Sequence, residues 1–103
     1  MSSDQPRMSA PTIKVLGALL SSDRNELSGA EIGRVTKLAS GTLYPILLRL
    51  EKAGWLESRW ETENARALGR PRRRYYRITF LGARCARAAF KELEPALGRA
   101  AWA

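Results

Sequence analysis

Nine basic residues and no acidic one stand between Ala65 and Lys91: Arg66, Arg70, Arg72, Arg73, Arg74, Arg77, Arg84, Arg87 and Lys91. Residues 1–64 carry eight basic and eight acidic side chains, so this one stretch supplies the formal net charge of +8. Charge spread over a surface keeps a protein in solution, whereas charge gathered in one segment points to a polyanionic partner, nucleic acid or an anionic membrane surface. The chain has no histidine and a single cysteine, Cys85. It therefore lacks the commonest general base and a common metal ligand, and it can form neither an internal disulfide nor a multi-cysteine metal site. Its acidic residues fall at helical-surface spacing beside lysine or arginine. We expect a binding protein without a cofactor or metal, and not an enzyme.

The elements that must position this charge can be read from periodicity. Residues 1–9 read as a flexible arm. Ser9 can cap a first helix with Pro11 just inside its start, and Ile13, Leu16, Leu19 and Leu20 recur at helical spacing. Ser28 and Glu31 form a capping box opening a second helix, whose buried stripe is Ile32, Val35 and Leu38. Ser40-Gly41-Thr42 reads as a tight connection, with Ser40 able to cap a third helix that turns Leu43, Ile46, Leu47 and Leu50 inward. Gly54 stops it in the left-handed conformation. Pro45 is tolerable if that helix begins near Gly41 or Thr42, where an N–H is dispensable.

The period then changes. Trp55–Glu61 and Arg73–Thr79 suit two strands, and Gly69-Arg70-Pro71 supplies turn chemistry between them. Tyr75 and Tyr76 point to opposite faces, so one belongs to the core. Arg74 and Arg77 differ in parity too, so one of them faces away from any ligand of the other. Trp55 and Trp60 read as packing anchors at the base of the sheet. A last helix, capped by Thr79, shows a stripe of Phe80, Ala83, Ala86, Phe90, Leu93 and Leu97, and Pro95 is expected to kink or break it. Cys85 reads as a small buried or interfacial residue.

Three helices, a hairpin and a further helix make a mainly α (α+β) chain in the order of a winged helix-turn-helix. In that arrangement the third helix enters the DNA major groove and the hairpin, or wing, follows the backbone or minor groove. The densest basic residues fall in a Pro/Gly turn and strand, where a wing needs them. A membrane-binding stretch would show a basic amphipathic helix with a large apolar face.

Two segments make a more specific match. Ser40-Gly41-Thr42-Leu43-Tyr44-Pro45-Ile46-Leu47 with Leu50-Glu51-Lys52-Ala53-Gly54-Trp55-Leu56 resembles the third-helix region of the PadR family of bacterial transcriptional regulators. Gly69-Arg70-Pro71-Arg72-Arg73-Arg74-Tyr75-Tyr76-Arg77-Ile78-Thr79, followed by Gly82, resembles that family's wing and its exit into the last helix. The chain departs from the family's usual Gly-Tyr pair at the start of helix two, where it has Ser28-Gly29-Ala30. The resemblance implies a homodimer that binds operator DNA, usually as a repressor, with a small-molecule effector as a candidate partner.

The expected organisation is an arm over 1–9, a winged-helix DNA-binding domain over 10–79 and a C-terminal dimerisation helix over 80–103. Candidate contacts to double-stranded DNA are Lys37 at the end of helix two, then Ser40, Thr42, Tyr44 and Arg49 on the reading helix. Arg70, Arg72 and Arg73 on the wing complete the set and are suited to phosphates or a narrow minor groove. For Tyr44 the alternative is packing of its ring against helix two. Phe90, Leu93, Leu97 and Trp102 are the expected dimer interface, the alternative being that the stripe folds back on its own core. An accessory DNA-binding factor in plasmid or phage replication, partition or recombination would use the same fold. The polar Met1–Ala10 lacks a signal's apolar core, and no run approaches the ~18–20 apolar residues of a membrane span, so the cytoplasm is the expected compartment.

Overall fold

A computed structural model describes the backbone of residues 5–102 and the side chains of residues 5–93. The elements follow in the order α1 (Ala10–Ser21), β1 (Leu27–Ser28), α2 (Gly29–Thr36), α3 (Ser40–Lys52), β2 (Leu56–Trp60), α4 (Ala65–Leu68), β3 (Arg74–Ile78) and α5 (Phe80–Trp102). This is an α+β chain in which helices carry a small antiparallel sheet.

Local chemistry sets the helix ends. Ser9 Oγ accepts from Thr12 N and shares a 2.9 Å hydrogen bond with Thr12 Oγ1, with Pro11 in the first turn. At α2 the capping box closes both ways: Glu31 N donates to Ser28 Oγ at 3.1 Å, and Ser28 N donates to Glu31 Oε1 at 2.8 Å. Arg24 pairs with the same carboxylate and, with the Ser28 amide, holds it below the usual carboxylate range. Lys37 ends α2 in the left-handed conformation (φ 62°), and Gly54 follows α3 with φ 81°.

The core lies where α1, α2, α3 and the sheet converge. Val15, Leu16, Ile32, Leu43, Ile46, Leu47, Leu50, Trp55, Leu56 and Tyr76 are each at most 5 % exposed. The sheet order is β1-β3-β2, so β3 is paired on both edges. The two-residue β1, which periodicity cannot register, sets Leu27 opposite Tyr76 and Ser28 opposite Tyr75. In the hairpin Leu56, Ser58 and Trp60 oppose Ile78, Tyr76 and Arg74, and these side chains share the inner face, whereas Glu57, Arg59, Tyr75 and Arg77 share the outer one. Tyr76 is the core tyrosine; Arg74 is inner and Arg77 outer.

Several expectations are corrected. Val35 is 63 % exposed, and Thr36 takes the buried place, its hydroxyl donating to Ile32 O at 2.7 Å. The line of contact runs through Ile32 and the residue four places on, not three. Phe80 is 83 % exposed. At 3.6 residues per turn it lies roughly a quarter turn from the Ala83–Ala86–Phe90 stripe. The helix α3 begins at Ser40, not after it, with Ala39 as a cap that contributes no side-chain bond. Pro45 consequently sits deeper in the helix than expected. Trp60 is 51 % exposed and so is no buried anchor, unlike Trp55 at 4 %. The helix α5 is not broken at Pro95. A proline removes one backbone bond there, and the flanking alanine, leucine and glutamate are good helix formers. Phe90 and Cys85 are half-buried against the chain's own core and Leu93 is half-buried; the side chains of Leu97 and Trp102 lie outside the described residues.

The sheet and α5 meet at one peptide group. Thr79 N donates to the Trp55 carbonyl at 2.9 Å, Thr79 Oγ1 donates to the Gly54 carbonyl at 2.7 Å and lies 3.1 Å from that of Trp55, and Gly82 N donates to Thr79 Oγ1 at 3.0 Å. A Cβ on Gly82 would stand 2.9 Å from both Cα and the carbonyl carbon of Trp55. Backbone cannot yield as a side-chain end can, so Gly82→Ala should destabilise the fold by ~1–3 kcal/mol, in the range of overpacked sites. Urea denaturation checks this, and an unchanged midpoint would refute the close approach.

Candidate nucleic-acid interface

Tertiary packing brings α3, the start of α2 and the hairpin around one open groove of about 460 Å³, lined among others by Gly29, Tyr44, Trp60, Arg72, Arg73 and Tyr76. Each wall has a local cause. The core residues of α3 lie on one side of the helix, which leaves Thr42, Tyr44, Pro45, Leu48, Arg49 and Lys52 exposed on the others. The acidic residue of α3, Glu51, turns inward. Its carboxylate accepts from Ser58 Oγ at 2.6 Å and pairs with Arg74 at 3.5 Å. Arg74 also donates to Ser58 Oγ through Nε and Nη2 (3.0 and 2.8 Å), and its guanidinium lies over the rings of Trp60 (5.3 Å) and Tyr76 (5.9 Å). The hairpin is thus locked to α3 by a charge-assisted contact, and no acidic group remains on the outer face of that helix.

Tyr44 packs against the first turn of α2. A Cβ at Gly29 would lie 2.7 Å from the Tyr44 hydroxyl, so the absence of a side chain at 29 is what lets the ring approach there. The ring remains 45 % exposed on its other side. Packing and exposure are therefore both true of this residue. Ser40 and Thr42 are exposed in the first turn of α3, Arg49 is exposed farther along, and Lys37 is exposed in the turn before α3. The starts of α1, α2 and α4 are closed by Ser9, Ser28 and Asn64, but the α3 start has no side-chain cap. Thr42 N donates to Ala39 O at 3.0 Å, and the Ser40 and Gly41 N–H groups ahead of it lie at the positive end of the helix dipole, which suits an anion.

The wing is organised by Glu61. Its carboxylate takes both terminal nitrogens of Arg70, at 2.7 and 3.0 Å, and the Arg73 backbone N–H at 2.8 Å. Its carbonyl accepts from Arg72 at 2.9 and 2.6 Å, and its N–H donates to Arg73 O at 2.9 Å. Between these strands α4 is capped by Asn64 and ended by Gly69 at φ 70°. Of the three wing arginines expected to meet DNA, Arg70 is therefore committed to an ion pair. Arg72 and Arg73 are exposed and, among the described residues, take part in no ion pair. On the outer face Arg59 pairs with Glu26 and lies 5.0 Å from the Tyr75 ring centre, while Arg77 pairs with Glu57. Among the described residues no cluster of acidic or cysteine side chains could hold a metal ion, and no helix is long and apolar enough to cross a membrane.

Sequence reasoning did not single out Glu61, Glu51 or Leu48, and it assigned Trp60 to packing. The parity of Trp60, shared with Arg74 across the hairpin, was the available signal for its place on the groove. Nothing local marks Glu61, because its partners lie nine to twelve residues away through a turn whose shape is not periodic.

The Arg70 guanidinium and the Arg73 amide hold the Glu61 carboxyl at about 2, down from an ordinary 4.5. A depressed carboxyl stabilises the folded wing fully above its unfolded value and loses that contribution as pH falls toward 2. In an NMR titration the Arg73 amide resonance should therefore follow Glu61 with a midpoint well below 4. A midpoint near 4.5 would show that the ion pair is not formed.

Solved structures share this architecture. A PadR family transcription regulator from Clostridium difficile R20291 superposes with a TM-score of 0.71 at 22 % identity, over 87 % of this chain and 93 % of that one. A PadR family transcriptional regulator from Eggerthella lenta gives 0.64 at 28 % identity, covering 85 % and 78 %. Bacillus subtilis PadR in complex with operator DNA gives 0.65 at 20 % identity, covering 80 % and 48 %. No curated protein matches the chain in sequence. The family model described as the transcriptional regulator PadR-like family matches residues 24–88, which run from Arg24 ahead of β1 through the wing into α5, and the chain belongs to that family.

Proposed function

We propose that the chain acts as a homodimeric, sequence-specific regulator that binds an inverted-repeat operator and represses by occluding a promoter. The observation that carries this reading is the joining of an acid-free outer face of α3 to an arginine wing across one groove. That surface is opposite in sign to a duplex backbone and has a groove-and-wing shape that can follow one. In this reading α3 enters the major groove. Thr42, Tyr44 and Arg49 reach base edges or phosphates, and Ser40 and the uncapped N–H groups beside it take a phosphate. Lys37 supplies a flanking phosphate contact. Arg72 and Arg73 provide sequence-independent affinity, and Arg70 shapes the wing that presents them. The parts are an arm over 1–9, a DNA-binding unit over 10–79 and a dimerisation helix over 80–103, with Phe90, Leu93, Leu97 and Trp102 at the dimer interface. Such a regulator works in the cytoplasm, without catalysis, and a small molecule that alters the dimer is a candidate effector.

Arg72→Ala with Arg73→Ala should weaken binding to every duplex and make its salt dependence shallower by about two in the log–log slope, one per lost phosphate contact. An unchanged slope would remove the wing from the interface. Arg70→Ala should act differently, by loosening the wing.

Selection of host genomic fragments by the purified protein at near-physiological salt tests the whole reading. Recovery of one inverted repeat at a promoter, with half-sites about a helical turn apart, is the expected result. Fragments without a shared motif would leave only sequence-independent binding and favour an accessory role.

A further inference from the structure

The outer face of α3 has a composition of its own. Gly41, Pro45, Leu48 and Lys52 follow one another at three- and four-residue steps and form one ridge, opposite the core residues Leu43, Ile46, Leu47 and Leu50. All four are exposed, Leu48 by 54 %, while the core leucines and isoleucine of the same helix are at most 3 % exposed. Before Lys52 the ridge offers no hydrogen-bonding side chain and no charge. A solitary exposed leucine needs no explanation. This one is at the centre of the surface that would face the base edges, with Arg49 and Lys52 beside it to approach phosphates.

An aliphatic side chain can neither donate to nor accept from a base. In the major groove the one apolar feature it can match is the 5-methyl group of thymine. Opposite a base edge without that methyl, the leucine would cover a polar group and give nothing back. We propose that Leu48, flanked by Pro45, seats against a thymine methyl group in each half-site and is a specificity-determining residue of this protein. The proposal rests on α3 being the reading helix. It assigns to Leu48 a discrimination separate from the hydrogen bonds that Thr42, Tyr44 and Arg49 can offer, and the Leu48→Ala comparison distinguishes it from a methyl contact made by Thr42 or Tyr44.

The experiment uses the full chain and the tightest duplex it selects from a random library. Each thymine of that duplex is replaced in turn by deoxyuridine, which removes the methyl and keeps the base pair. The wild-type protein should lose about three- to fivefold in affinity at one thymine of each half-site, the worth of one buried methyl. Leu48→Ala should bind the thymine and deoxyuridine duplexes alike at that position, with an unchanged melting temperature because the side chain is exposed. A wild-type protein indifferent to every replacement would overturn the methyl contact and leave DNA binding by α3 standing. So would a Leu48→Ala protein that keeps the full discrimination, or one whose oligomeric state without DNA has changed. Failure to select any duplex would overturn the DNA-binding reading itself, and this proposal with it.

Discussion

A hairpin with Arg70, Arg72, Arg73, Arg74 and Arg77 in eight successive positions cannot close unless like charges are kept apart or neutralised, and the whole recognition surface depends on how this is done. Three acids near the hairpin take defined shares. Glu61 takes Arg70 and the Arg73 amide, Glu51 takes Arg74, and Glu57 takes Arg77. These pairs are largely solvated, and pairs of that kind add little to global stability. Their effect is geometric: they decide which guanidinium groups are spent within the protein and which face outward. A formal charge of +8 is therefore a poor guide to the interface until the internal partners are known.

The Glu51–Ser58–Arg74 contact carries this logic from the wing to α3. It removes the helix's acid from the outer face, holds the hairpin at a set angle, and leaves Trp60 and Tyr76 stacked beneath one guanidinium. Two surfaces that are separate in sequence thus become walls of a single groove. On the opposite face of the sheet Arg59, Glu26 and Tyr75 form a comparable arrangement that ties the hairpin to the segment before β1.

Much of this was legible in the chain. The Ser9 and Ser28 caps, the inward stripe of α3, the αL glycine at 54 and the opposed tyrosines all follow from local chemistry and periodicity, and each is found in place. What escaped depends on long-range register. The strand β1 has two residues, too few for a period, and exists because β3 offers an open edge. The exposure of Val35 and Phe80 depends on where neighbouring elements cross, which a helical repeat alone leaves undetermined. Arg70 and Arg72 are adjacent members of one basic run, yet Glu61, nine residues upstream of the first, takes Arg70 through its carboxylate and Arg72 through its carbonyl. The missing side-chain cap at Ala39 could not be inferred, because Ser40 stands one place on and looks like a suitable cap.

The carbonyl of Trp55 receives the Thr79 amide while the Thr79 hydroxyl holds the Gly54 carbonyl beside it, and the first turn of α5 presses on Trp55 through Gly82. Mechanically this is a fulcrum. On one side extends a helix of 23 residues, ~35 Å at 1.5 Å per residue. On the other side extend the five-residue strands of the hairpin, ~17 Å in reach. With no side chain at 82, the backbones of the two arms meet directly at this point. The base of the wing and the direction in which the C-terminal helix leaves the domain are thereby set at the same peptide group.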